Sequence, residues 1–165
     1  MIFRLSQKLC TRIKAGSLSA SPPDDNPFAD WSAHMFVADR TQYIIVTNTK
    51  SLYSTVLCAK GITNYSHFIV RASGAIRELV EDDGQGLAYH RFIVPASGTV
   101  RFAKALNPSV TSSMTDLVIH AKKWLSEGKL SPFDVGLKLN DIPFSSLGFV
   151  KPREAFRALV DDIKQ

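Results

Sequence analysis

The segment from Asp30 to Cys58, DWSAHMFVADRTQYIIVTNTKSLYSTVLC, most narrows the folds open to this chain. Three β-rich runs, at about 32–39, 42–48 and 52–58, are joined by connectors of a few polar residues. A parallel crossover needs about a dozen residues or more, so these neighbours must run antiparallel. Tyr43-Ile44-Ile45-Val46 is continuously apolar. That pattern belongs to a strand buried on both faces and places it centrally in a sheet.

Other patterns extend the reading. Ile2–Leu5 reads as a first strand. A short helix from Ser6 through Lys14 places Leu9, Cys10 and Ile13 on one face and ends at Gly16. Residues 17–29, rich in proline and serine, form a loop. Phe68, Ile69, Ala72, Ala75, Ile76, Leu79 and Val80 recur at helical spacing between Ser66 and Asp83. Tyr89–Val94 and Thr99–Ala103 are expected to pair as a β-hairpin through Pro95–Gly98. A helix is expected over Met114–Glu127, opened by Ser113 and Asp116 in a capping-box arrangement. Val135–Asn140 is expected as a strand with Ile142–Phe144 as its return, and a last helix starts at Pro152. Runs of strands broken by single helices imply α+β. The expectation is a mostly antiparallel or mixed sheet of about six to eight short strands, with about four helices packed on it. Residues 1–165 are expected to form a single globular domain.

Composition agrees, with 165 residues, 45% of them hydrophobic and 21% charged. That is enough for one domain with a full core. The formal charge is +5. It is spread along the chain without a Lys/Arg block, as on an ordinary solvated surface, and it also suits a polyanionic partner. Cys10 and Cys58 form no C-x-x-C pair and sit in apolar settings, where a thiol behaves as a small hydrophobe. Charges interrupt MIFRLSQKLCTRIK every few residues, unlike a secretory signal. No apolar run approaches the ~18 residues of a membrane span. The expectation is a cytoplasmic protein that does not engage a membrane.

No phosphate-loop, dinucleotide, zincin or nucleophile-elbow motif occurs. The four histidines are His34, His67, His90 and His120, scattered without ligand spacing. Neither a metal nor a cofactor is expected. An antiparallel pairing of the first two runs brings Trp31, His34, Asn48, Lys50 and Tyr53 toward one sheet edge, as a candidate ligand-binding cluster. Lys50 and Asn48 suit a phosphate or carboxylate, Trp31 a planar group, and His34 proton transfer. The competing reading is structural: Asn48 as a turn residue, Lys50 solvated, Trp31 plugging the core, His34 hydrogen-bonded at a strand start. His90, Arg91 and Arg101 could likewise line a positive hairpin edge or simply cover a half-buried one.

NPFADW at 26–31, DRTQYIIVTNTKSLYS at 39–54, LSPFDV at 130–135 and PREAF at 152–156 resemble an uncharacterised bacterial domain family of unknown function. Some relatives carry this domain beside a plasmid open-reading-frame-3-like module. The resemblance runs nearly the whole length. It implies a prokaryotic cytoplasmic domain and carries over no catalytic residue.

The leading reading is a non-enzymatic binding or interaction module with an unknown protein partner. The alternative is a nucleic-acid-associated protein, a nuclease-like or toxin–antitoxin or mobile-element factor, with His34 as acid/base and Lys50 or Arg40 on phosphate charge. A small-molecule enzyme with an unfamiliar site is a third. One expectation tests the helical register directly. Ile76→Asp places an unpaired charge in the packed face of the longest helix and should abolish cooperative folding. A soluble variant with a sharp thermal transition contradicts that register.

Overall fold

The computed structural model describes residues 1–164. Five strands lie among them: β1 (Ile2–Leu5), β2 (Asp30–Ala38), β3 (Thr41–Asn48), β4 (Ser54–Cys58) and β5 (Arg101–Ala103). The helices are α1 (Gln7–Ile13), α2 (Tyr65–Asp82), α3 (Gly86–Ala88), α4 (Pro108–Ser126), α5 (Pro132–Leu139) and α6 (Pro152–Lys164). The class is α+β, with fewer strands and more helices than expected. The sheet order is β4-β3-β2-β1-β5. β2, β3 and β4 form the antiparallel meander that their short connectors require, whereas β1 pairs parallel with both β2 and β5. The sheet is therefore mixed.

Strand alternation divides the interior into two cores, one on each face of the sheet. Phe3, Trp31, Ile44 and Val46 meet Leu9 and Ile13 of α1, Phe68 and Ile76 of α2, and Phe156 of α6. On the opposite face, Phe36, Ile45 and Val56 meet Met114 and Leu117 of α4 and Leu139 of α5. The run from Tyr43 to Val46 feeds both cores, as its continuous apolarity demanded. The β2–β3 turn is two residues long, with Asp39 at φ 47° and Arg40 at φ 64°. Both positive angles match the strand twist in a type I′ hairpin and project Arg40 into solvent.

Three expected elements are corrected. No hairpin forms over 89–103. Residues 86–98 are helical throughout, and only Arg101–Ala103 is a strand. Ala88, Phe92 and Ile93 recur at helical spacing, and Phe92 stacks on Phe28 with ring centroids 5.0 Å apart. Pro95 is tolerated because it stands in the first turn of a 3-10 segment. The strand expected at Val135–Asn140 is α5 instead. Ser131 caps it by accepting the Asp134 N–H at 3.1 Å, and Pro132 opens it. The expected return strand at 142–144 is a loop, with a single bridge between Phe144 and Val150. α4 begins six residues before the expected start, because Asn107 caps it ahead of Pro108.

The β4 edge is closed by side chain rather than by another strand. Asn140 Nδ2 donates to the Ser54 carbonyl at 3.0 Å, and its Oδ1 accepts the Ser54 N–H at 2.7 Å. This amide reproduces one rung of a β ladder. Arg71 donates to the Cys58 carbonyl at 3.0 Å farther along. Gly136 lets α5 lie directly on the strand. A Cβ there would stand 3.1 Å from Thr55 Cα and 3.2 Å from Val56 N.

Alanine in place of Gly136 raises helix propensity by about 1 kcal/mol. Its methyl meets backbone held by β3, and such overpacking costs about 1–3 kcal/mol. Gly136→Ala is therefore expected to lower the urea midpoint. An unchanged or higher midpoint would show that α5 can move off β4.

Candidate functional site

Arg4 lies on β1 between Phe3 and Leu5, and it points to the opposite face from them. Its side chain is fully buried. A buried guanidinium is tolerated only when paired and hydrogen-bonded. Nε and Nη2 donate to the two carboxylate oxygens of Asp30, each at 2.8 Å. The remaining donors reach the carbonyls of Ser21 at 2.8 Å and Pro22 at 2.9 Å. Asp30 also accepts from Thr49 Oγ1 at 2.8 Å and from the Asp24 N–H at 3.1 Å. Since Thr49 donates to Asp30, the Ser32 hydroxyl donates to Thr49 at 2.8 Å. The network ties the proline-rich loop to the start of β2 and to the β3–β4 turn.

A pocket of about 390 Å³ opens above this network. Asp30 and Thr49 form its floor. Pro23, Pro27 and Leu106 give apolar walls, and Asp24, Asp25, Lys50 and Asp162 stand at its mouth. Lys50 Nζ lies 2.8 Å from Asp162 Oδ2, with both side chains about half exposed at 58% and 48%. Such a pair contributes about 0–1 kcal/mol, so it can open to a ligand at little cost.

The five residues singled out from the sequence separate. Trp31, Asn48 and Tyr53 share one face of the sheet and are all fully buried. Trp31 Nε1 donates to the Phe28 carbonyl at 2.8 Å. Asn48 donates to the carbonyl of Pro27 at 2.8 Å and accepts from the Ser51 hydroxyl at 2.8 Å. Tyr53 stacks on Phe156 at 4.3 Å and donates to Asp83 at 2.9 Å. Burial, and then the Asp83 charge, raise its phenol well above the ordinary value. Asp83 also pairs with Arg153 and lies 3.5 Å from Arg157, joining the end of α2 to α6. Only Lys50 reaches the pocket.

His34 points to the other face, into a cleft of about 540 Å³ with Ser6, Leu18 and Thr111. No three His, Cys, Asp or Glu side chains among the described residues are placed to hold a metal ion. No helix among them is long and apolar enough to cross a membrane. Both cysteines are free thiols, Cys10 buried and Cys58 half-buried.

The Arg4–Asp30 pair escaped the sequence reading, although a signal was present. An arginine inside the apolar tetrapeptide IFRL, and an aspartate opening an apolar strand, each require a buried partner.

Burial lowers the His34 pKa from its usual 6.5. The unfolded chain therefore takes up a proton first as pH falls through about 6.5, and folding stability declines from there down to the folded-state value. Urea titrations between about pH 7.5 and pH 5 should show this loss in the wild type and a smaller one in His34→Asn. Parallel pH profiles would contradict the burial effect.

A family model described as a domain of unknown function, DUF6933, matches residues 2–155. No curated protein and no solved structure matches the chain. The match takes in every strand of the sheet, and the chain belongs to the DUF6933 family.

Proposed function

We propose that this protein is a non-enzymatic binding module of the bacterial cytoplasm, and that its pocket beside Lys50 receives a cationic group from a protein partner. One observation carries this reading: the pocket joins a rigid floor to a mouth with uncompensated negative charge. Asp30 is neutralised by Arg4, and Lys50 by Asp162. Asp24 and Asp25 have no cationic partner among the described residues. The apolar walls suit the methylene stem of a lysine or arginine, with the charged head at the carboxylates. Trp31, Asn48 and Tyr53 support the module by holding the frame rather than by contacting a ligand. Two free thiols fit a reducing compartment.

Titration with short peptides tests the reading. An arginine-bearing peptide should bind and raise the melting temperature, whereas its glutamate counterpart should not. Asp24→Asn with Asp25→Asn should weaken binding at least about tenfold, the equivalent of one charge-assisted hydrogen bond of about 1.5 kcal/mol. Equal response to both peptides, or an unaffected double variant, would contradict it.

A further inference from the structure

A group of cations gathers at one end of the sheet, opposite the pocket along β3. The β2–β3 turn, the loop after β4 and α1 meet there. Arg12 of α1 donates to Gln42 Oε1 at 2.6 Å and to the Ile62 carbonyl at 3.0 Å. Arg71 of α2 donates to the carbonyls of Cys58 at 3.0 Å and Lys60 at 3.1 Å. These segments and the N-terminal half of α2 carry Lys8, Arg12, Lys14, Arg40, Lys60 and Arg71 against the single carboxylate of Asp39, and the acidic Glu78, Glu81 and Asp82 lie farther along α2.

Among the described residues, none of these six cations lies within ion-pair distance of a carboxylate. Arg4, Lys50, Arg77, Arg153 and Arg157 all do. Arg12 and Arg71 are held by neutral carbonyl groups, which orient the guanidinium and leave its charge available. Lys8 and Arg12 are one helical turn apart on α1. Tyr65, in the first turn of α2, presents a half-exposed ring. Inserting into a membrane surface draws on exposed Trp, Phe or Leu, and the exposed Leu87 and Phe149 lie on other segments.

We infer that this end is a nucleic-acid-binding surface, in which the six cations contact the phosphodiester backbone and Tyr65 offers a stacking platform. Phosphate contact by dispersed Lys and Arg is sequence-tolerant and releases counterions. An aromatic ring beside a basic surface stacks on unpaired bases. The inference does not rest on the pocket, whose residues belong to other segments.

Anisotropy with fluorescent single-stranded DNA, single-stranded RNA and duplex DNA tests it. Six engaged cations predict that Kd rises on the order of a thousandfold between about 50 and 200 mM salt. Arg40→Gly with Lys60→Gln removes two charges, and glycine suits the Arg40 φ of 64°. This variant should weaken low-salt binding about tenfold and flatten the salt slope by between about one and two. Lys122→Gln with Lys129→Gln removes the same charge elsewhere and should leave Kd unchanged. A preference for RNA or DNA supports the inference and names the natural ligand. Three results would overturn it: no binding at low salt, equal weakening in both double variants, or tighter binding to phosphatidylserine vesicles than to any nucleic acid.

Discussion

The buried Arg4–Asp30 pair is the contact on which the sheet, the proline-rich loop and the pocket all depend. β1 and β2 are parallel neighbours, and the pair bridges them with two 2.8 Å bonds. A loop holding Pro22, Pro23 and Pro27 can bury little of its own surface. Its carbonyls at Ser21 and Pro22 are drawn inward by the Arg4 guanidinium instead. Loss of one partner would leave a buried charge uncompensated, at a cost of about 3–5 kcal/mol.

The sheet is then finished from both sides by single side chains in well-defined places. Phe156 anchors α6 by meeting Phe28, Trp31 and Tyr53 at centroid distances of 5.0, 6.0 and 4.3 Å. Asn140 and Gly136 close the β4 edge, which would otherwise be a template for pairing with another chain. The Asn140 amide satisfies both backbone polar groups of Ser54. Charge is left at the two ends: carboxylates around the pocket mouth, and cations without a carboxylate partner among the described residues around the β2–β3 turn.

Much of this was readable in the sequence wherever one local pattern dominated. The meander followed from connector length, and α2 from the spacing of Phe68, Ala72, Ile76 and Leu79. The helical stretch at 86–98 was misread because aromatics alternating with polar residues at Tyr89–Ile93 mimic a strand. Contact with Phe28, some sixty residues earlier, decides the matter instead. α5 was misread because Phe133, Val135, Leu137 and Leu139 alternate as in a strand, and the two cores share them. Ser131-Pro132 had announced a helix start. Of the candidate cluster, Trp31, Asn48 and Tyr53 converge and are fully buried. Lys50 alone reaches solvent at the pocket, and His34 faces away, because a three-residue step along a strand changes face. The basic end was invisible for a different reason. Its cations come from four segments, and only the tertiary fold collects them.

The most direct test of this architecture is a double-mutant cycle on the buried pair, read by urea denaturation. Arg4→Met, Asp30→Leu and their combination isolate the coupling between the two charges. If the pair holds the loop and the pocket floor to the sheet, each single variant loses several kcal/mol. The double variant should then lose less than the sum by about 2 kcal/mol or more. Single costs that simply add, to within about 0.5 kcal/mol, would mean that the two charges act independently and that other contacts hold the loop in place.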